Sequence, residues 1–219
     1  ADADADADPA LHDCIEARYE PHRVVGWAVC IEGTLMSSGA LGGDVLARLN
    51  EDLNRVITEL DPGIVTSLQT VRIWIEAEGA WPGGVYHPSA AWLEDNGYPI
   101  HWAESIQIGN AANYLAWTSI QPAMVLHELS HAWHHQFLGY GRPDIIAAYD
   151  AAMASGHYSS VAYAGGGFSE AYATSNVQEY FAELTEAWFW ENDFYPFVRS
   201  ELLAFDPLGA AVIEAAWSG

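Results

Sequence analysis

The chain has 219 residues, a length that suits one domain with a sizeable core. Hydrophobic residues make up 51% of it, too many for a disordered chain, while 30 acidic residues against 7 basic ones leave a net charge of −23. Every basic residue is an arginine, so Schiff-base, pyridoxal phosphate and P-loop lysine chemistry are excluded, and so negative a surface repels nucleic acid.

The opening "ADADADADP" reads as a processed N-terminus or an artificial extension, a disordered acidic tail over residues 1–9 ahead of a single domain over 10–219. Cys14 and Cys30 follow; a bridge between them would close a short loop worth about 3 kcal/mol, the alternative being two buried thiols. Processing and a bridge both point to a secreted or extracytoplasmic protein, and no apolar run is long enough for a membrane span. Residues 1–60 carry no recognisable motif, but from Gly43 the residues Val45, Leu46, Leu49, Leu53, Val56, Ile57 and Leu60 recur at helical spacing until Asp61-Pro62-Gly63. "VRIWIEAEG" alternates like a strand, with Val71, Ile73 and Ile75 on one face. The turn-rich "GGVYHPSAAWLEDNGYP" predicts a hairpin or an irregular excursion, and "ESIQIGNAANYLAW" begins as another strand. Pro122 suits the first position of a helix ending at Gly139-Tyr140-Gly141, and Pro143 opens another that stops near Gly156. A loop rich in Gly and Ser precedes a helix over about 176–190, and a last helix starts at Asp206-Pro207. Strands precede helices rather than alternating with them, which makes the fold class α+β.

Within the helix after Pro122, "HELSH" matches H-E-x-x-H at His127, Glu128 and His131. Histidines at i and i+4 project from one helix face and suit two imidazoles on one Zn²⁺, while Glu128 between them suits a general base for water. A catalytic zinc needs a third protein ligand. The metzincin spacing is excluded, because His134 and Phe137 occupy its Gly and His positions. His134 lies two helical turns from His127, too far to share the metal with both histidines, so His134 and His135 are expected to make hydrogen bonds or line the cleft. Downstream, Glu179, Glu183 and Glu186 share a helix face in "NVQEYFAELTEAW". Glu179 is the preferred third ligand, with Glu183 four residues on holding a ligand histidine. Glu170, Glu183 and Asp150 remain alternatives, and Asn176-x-x-Glu179 also reads as a capping box that would explain Glu179 by the helix terminus alone.

"HELSH" with "Y-x-x-x-N-x-x-E-Y-F-A-E" from Tyr172 to Glu183 resembles the catalytic domain of anthrax lethal factor and its relatives among the gluzincin zinc peptidases. The longer run through "AYATSNVQEYFAELTEAWFWENDFYPF" also resembles a group of uncharacterised secreted metallopeptidase-like proteins of bacteria and fungi. The resemblance covers about residues 71–217 and implies a zincin-like metalloprotease domain with a small mixed or antiparallel sheet and an active-site helix. It implies zinc on His127, His131 and Glu179, Glu128 as base, Tyr172 as the oxyanion donor and Glu183 behind a ligand histidine. Such peptidases hold an extended peptide along an edge strand; "SIQIGNAANYLAW" is either that strand or an ordinary member of the sheet. The expected activity is that of a zinc-dependent endopeptidase acting on peptide or protein substrates. The alternatives are a non-catalytic, zinc-stabilised secreted binding protein, which would need neither Glu128 nor Tyr172, and a zinc hydrolase of other amides. Oligomeric state and cleavage preference are not legible.

Overall fold

The computed structural model describes residues 9–17, 19–37 and 39–218; of the expected tail over 1–9, residues 1–8 lie outside them, and Pro9 opens a helix instead. The fold is α+β, and the chain divides into two compact units, one of residues up to 58 with 62–116, the other of 59–61 with 117 onward.

The first unit runs α1 (Pro9–Glu16), β1 (Tyr19–Val24), β2 (Trp27–Glu32), α2 (Gly33–Ser37), α3 (Leu41–Glu59), α4 (Pro62–Leu68), β3 (Ile73–Ile75), β4 (Gly84–Tyr86), α5 (Ala90–Asp95), β5 (Ile106–Ile108) and α6 (Ala111–Trp117). Helix α3 follows the expected periodicity: Val45, Leu49, Leu53 and Val56 are fully buried. Asp52 is buried on the same helix, held by Arg48 at 2.7 Å and by the Tyr114 hydroxyl at 2.5 Å. The sheet is mixed, in the order β1-β2-β3-β5-β4, with β2, β3 and β5 parallel and the two edges antiparallel. In β3, Trp74 is as buried as Ile73 and Ile75, so both faces of this central strand are covered. β5 lies between β3 and β4, so it is an ordinary interior strand and not an edge open to a peptide; the edge on that side is β4, inside the segment expected to be a hairpin or irregular. The β1–β2 hairpin turns at Val25-Gly26, both at positive φ (51° and 96°) as a type I′ turn requires, and Gln69 donates to the Val25 carbonyl at 3.0 Å. A disulfide joins Cys14 of α1 to Cys30 of β2 in a core with Trp74, Leu93 and Trp102.

The second unit contains α7 (Met124–Ala132), which continues into a π-helical stretch (Trp133–Leu138), then α8 (Pro143–Ser155), β6 (Val161–Ala162), β7 (Phe168–Ser169), a 3₁₀ turn (Tyr172–Thr174), α9 (Val177–Phe189), α10 (Arg199–Phe205) and α11 (Pro207–Ala216). Helix α7 starts two residues later than Pro122 suggested. Helix α8 opens on Pro143 and stops at left-handed Gly156 (φ 70°). The Gly/Ser-rich segment is a short β6–β7 hairpin rather than an open loop. Helix α9 is buried on nearly all sides, from Tyr180 to Trp188. Polar anchors fix its rotation: the Tyr180 hydroxyl donates to Asp206 at 2.6 Å, and Thr185 accepts from the Trp217 indole at 3.0 Å. Asp206 also caps α11 through the Gly209 N–H and accepts from Tyr158, so one carboxylate ties three segments together.

Candidate metal centre

His127 and His131 lie one turn apart on α7, ring centroids 4.8 Å from each other, and face the start of α9. There the Asn176 side chain accepts from the Glu179 N–H at 2.9 Å. The expected cap is therefore present, but the Glu179 carboxylate does not fold back onto it: Glu179 Oε2 lies 3.1 Å from His127 Nε2 and 3.2 Å from His131 Nε2. The two Nε2 atoms are themselves 3.1 Å apart. On the other side of the His127 ring, Nδ1 meets Glu186 Oε1 at 2.5 Å.

The donor chemistry tests whether a metal fits. Glu186 is an acceptor, so the proton of neutral His127 belongs on Nδ1, and Nε2 presents a lone pair. That lone pair points at a carboxylate oxygen and a second imidazole nitrogen, three electron pairs converging with only protons or a cation to reconcile them. Separations of 3.1, 3.1 and 3.2 Å are close to the ligand–ligand edge of about 3.3 Å in a tetrahedral zinc shell with bonds near 2.0–2.1 Å. The residues present fit a zinc ion. A second group, His127 with Glu183 and Glu186, lies behind the first; a third, His12, Asp13 and Glu16, lies along α1 with His12 and Glu16 exposed.

The electrostatics are compatible with a positive charge at this cluster. Burial pulls the His127 imidazole down, but hydrogen bonds with Glu179 and Glu186 outweigh it and hold its pKa well above the ordinary histidine value. Burial pushes the Glu179 carboxyl up, yet His127 and His131 bring it well below the usual carboxylate range. Burial raises Glu183, Glu186 and Asp193, and Glu183 is raised further by the charges of the other two.

No protein family matches the chain, and no curated protein matches it. Among solved structures it is similar to the PRO-PRO endopeptidase of Paenibacillus alvei, with a TM-score of 0.48 and 19% identity over 89% of this chain and 99% of that one.

The remaining candidates divide. Glu128 is buried on α7, and its charge is felt by His127 and by the Tyr172 hydroxyl. Tyr172, on the 3₁₀ turn before α9, is 49% exposed, its ring 6.4 Å from that of His127. Glu183 does not support a ligand histidine as expected: it is buried with Oε2 unpartnered, and the carboxylate that meets His127 Nδ1 is that of Glu186, one turn further on. Two turns of α9 separate Glu179 from Glu186, and the His127 imidazole meets both; Glu183, midway between them in sequence, has a carboxylate oxygen within 4.8 Å of a His127 ring nitrogen. Glu170 and Asp150 are exposed and join no metal-binding group among the described residues. His134, expected to make hydrogen bonds or line a cleft, is instead fully buried against Phe181 and Tyr140, with neither ring nitrogen hydrogen-bonded. It lies on the π-helical stretch that begins at Trp133 and joins no metal-binding group among the described residues.

Proposed function

We propose that the protein is a zinc-dependent endopeptidase of the zincin type, with His127, His131 and Glu179 as the zinc ligands. The observation that carries this reading is the convergence of two Nε2 atoms and one carboxylate oxygen within 3.2 Å of one another. Zinc held there supplies Lewis acidity toward a water and a substrate carbonyl. Glu128 takes a proton from the attacking water and returns it to the leaving amine. Tyr172 donates its phenolic hydrogen to the oxyanion; burial and the Glu179 charge raise its pKa, which keeps that proton in place. Glu186 holds His127 in the tautomer that leaves Nε2 free for metal. The substrate is an extended peptide or protein, and the Cys14–Cys30 bridge favours an extracytoplasmic site of action. No helix among the described residues is long and apolar enough to cross a membrane.

The test is metal analysis together with incubation of wild type and Glu128→Gln with a diverse peptide library. The expected result is about one zinc per chain in both and cleavage by wild type alone. Zinc in both with cleavage by neither would replace the enzyme with a zinc-stabilised binding protein, and no bound zinc would remove the reading altogether.

A further inference from the structure

The first unit contains a cavity of about 460 Å³, within the size range of small-molecule sites. Its walls are largely aromatic, with Trp81, Tyr86 and Trp92 joined by Pro88, Ser89 and His87. Trp92 is half exposed, whereas His87 is 3% exposed. A hydrogen-bonded chain sets the state of that histidine. The Tyr19 hydroxyl donates to Glu76 at 2.7 Å, and the Gln107 side-chain NH₂ donates to the other Glu76 oxygen. With its nitrogen turned to Glu76, Gln107 presents Oε1 to His87 Nε2 at 3.0 Å, so that ring nitrogen must donate. Nδ1 is then a lone-pair acceptor on a cavity-lining side chain. Burial lowers the His87 pKa, so the ring stays neutral and keeps that lone pair at neutral pH.

These features select a ligand class. Anions are disfavoured by the net charge of −23 and by a wall that presents an acceptor. A sugar would bring many hydroxyls to a wall with few polar groups, leaving most unpaired on burial. A cation would find aromatic faces but no carboxylate among the lining residues. A flat apolar ring with one hydrogen-bond donor uses everything the cavity offers.

We propose that this cavity binds a neutral aromatic ring carrying one hydrogen-bond donor, indole being the simplest, with the ring against Trp81 and Trp92 and its N–H on His87 Nδ1. The proposal is independent of the metal centre. Isothermal titration of the full disulfide-bonded chain with indole and with benzothiophene, the same shape with sulfur in place of N–H, tests it. Indole is expected to bind saturably and benzothiophene about 5- to 10-fold more weakly, the worth of one hydrogen bond. Trp92→Ala, made at a half-exposed wall residue, is expected to weaken both rings by the same factor with an unchanged melting temperature. Equal affinity for the two rings, no saturable binding of indole, or wild-type affinity in Trp92→Ala overturns the proposal. N-acetyltryptophanamide separates the sources: binding as tight as indole assigns the cavity to a tryptophan of a peptide, and binding of indole alone to a free small molecule.

Discussion

In the second unit, the His127 ring lies directly between two carboxylates, Glu186 on Nδ1 and Glu179 on Nε2. In the first, Glu76 reaches His87 only through the amide of Gln107. The His87 ring is buried and the His127 ring largely so, and both owe their tautomer to a glutamate, yet the His127 pKa rises and the His87 pKa falls. Direct contact lets carboxylate charge offset the desolvation of an imidazolium, which makes the group a candidate cation site. A neutral amide between them passes on orientation without charge, and burial then keeps the ring neutral as a hydrogen-bond acceptor. The identity of the atom touching the ring, rather than the presence of a nearby acid, decides which kind of site results.

The severest way to break this comparison is to remove the proposed cation site. His127→Ala, His131→Ala and Glu179→Ala are each expected to lose zinc on dialysis, while Glu128→Gln keeps it and loses on the order of 10²–10⁴ in kcat. Full zinc occupancy in Glu179→Ala would return that residue to its place beneath the Asn176 cap. Tyr172→Phe should then lower kcat by on the order of 10²–10³ with zinc content and KM nearly unchanged. A mutant with wild-type turnover would leave Tyr172 as an exposed ring beside His127.

Smaller effects sharpen the comparison. Glu186→Ala is expected to weaken zinc about 10- to 100-fold, as loss of the group orienting a ligand histidine does, and competition with a chelator measures it. Glu183→Gln should keep zinc affinity within about threefold, because no histidine nitrogen leans on it. The reverse ranking would restore the i+4 arrangement expected from sequence.

His134 supplies the third case, a buried histidine with no acid on either nitrogen. Burial, aided by the His131 charge, lowers its pKa to about 4 from an ordinary 6.5. Between those values the unfolded chain binds a proton that the folded chain refuses, so this contribution to stability is whole above pH 6.5 and declines as pH falls toward 4. The loss amounts to about 2 kcal/mol after allowance for solvent relaxation. Denaturant titrations at pH 7 and 4.5 are expected to show a smaller difference for His134→Phe than for wild type. Equal slopes would mean that His134 is protonated, or hydrogen-bonded, in the folded chain.

Several elements were legible because their signals are local. The apolar spacing of α3, Pro143 and Gly156 around α8, Asn176 before α9 and Asp206-Pro207 before α11 each act within a turn or two of chain. The β1–β2 hairpin was not legible: its turn is Val25-Gly26 rather than Asn-Gly, and the partner of the strained valine carbonyl is Gln69, far along the chain. The interior position of β5 was equally hidden, since a three-residue strand with both faces buried reads alike in the middle or at the edge of a sheet.

At the candidate metal centre the division is finer. Sequence by itself determined that His127 and His131 share a face of one helix and that Glu179, Glu183 and Glu186 share a face of another, because helical geometry converts spacing into direction. Only the tertiary structure decided which of those carboxylates meets which nitrogen. That choice depends on how α9 is rotated and advanced against α7, and distant contacts such as Tyr180 with Asp206 and Thr185 with Trp217 fix the rotation. It also decided that His134 packs against Phe181 and Tyr140 with neither ring nitrogen hydrogen-bonded, which spacing alone does not show. In the first unit nothing in the residue order joins Glu76, Gln107 and His87; they meet because β3, β5 and β4 are neighbours in one sheet, and strand pairing is settled by contacts far apart in the chain.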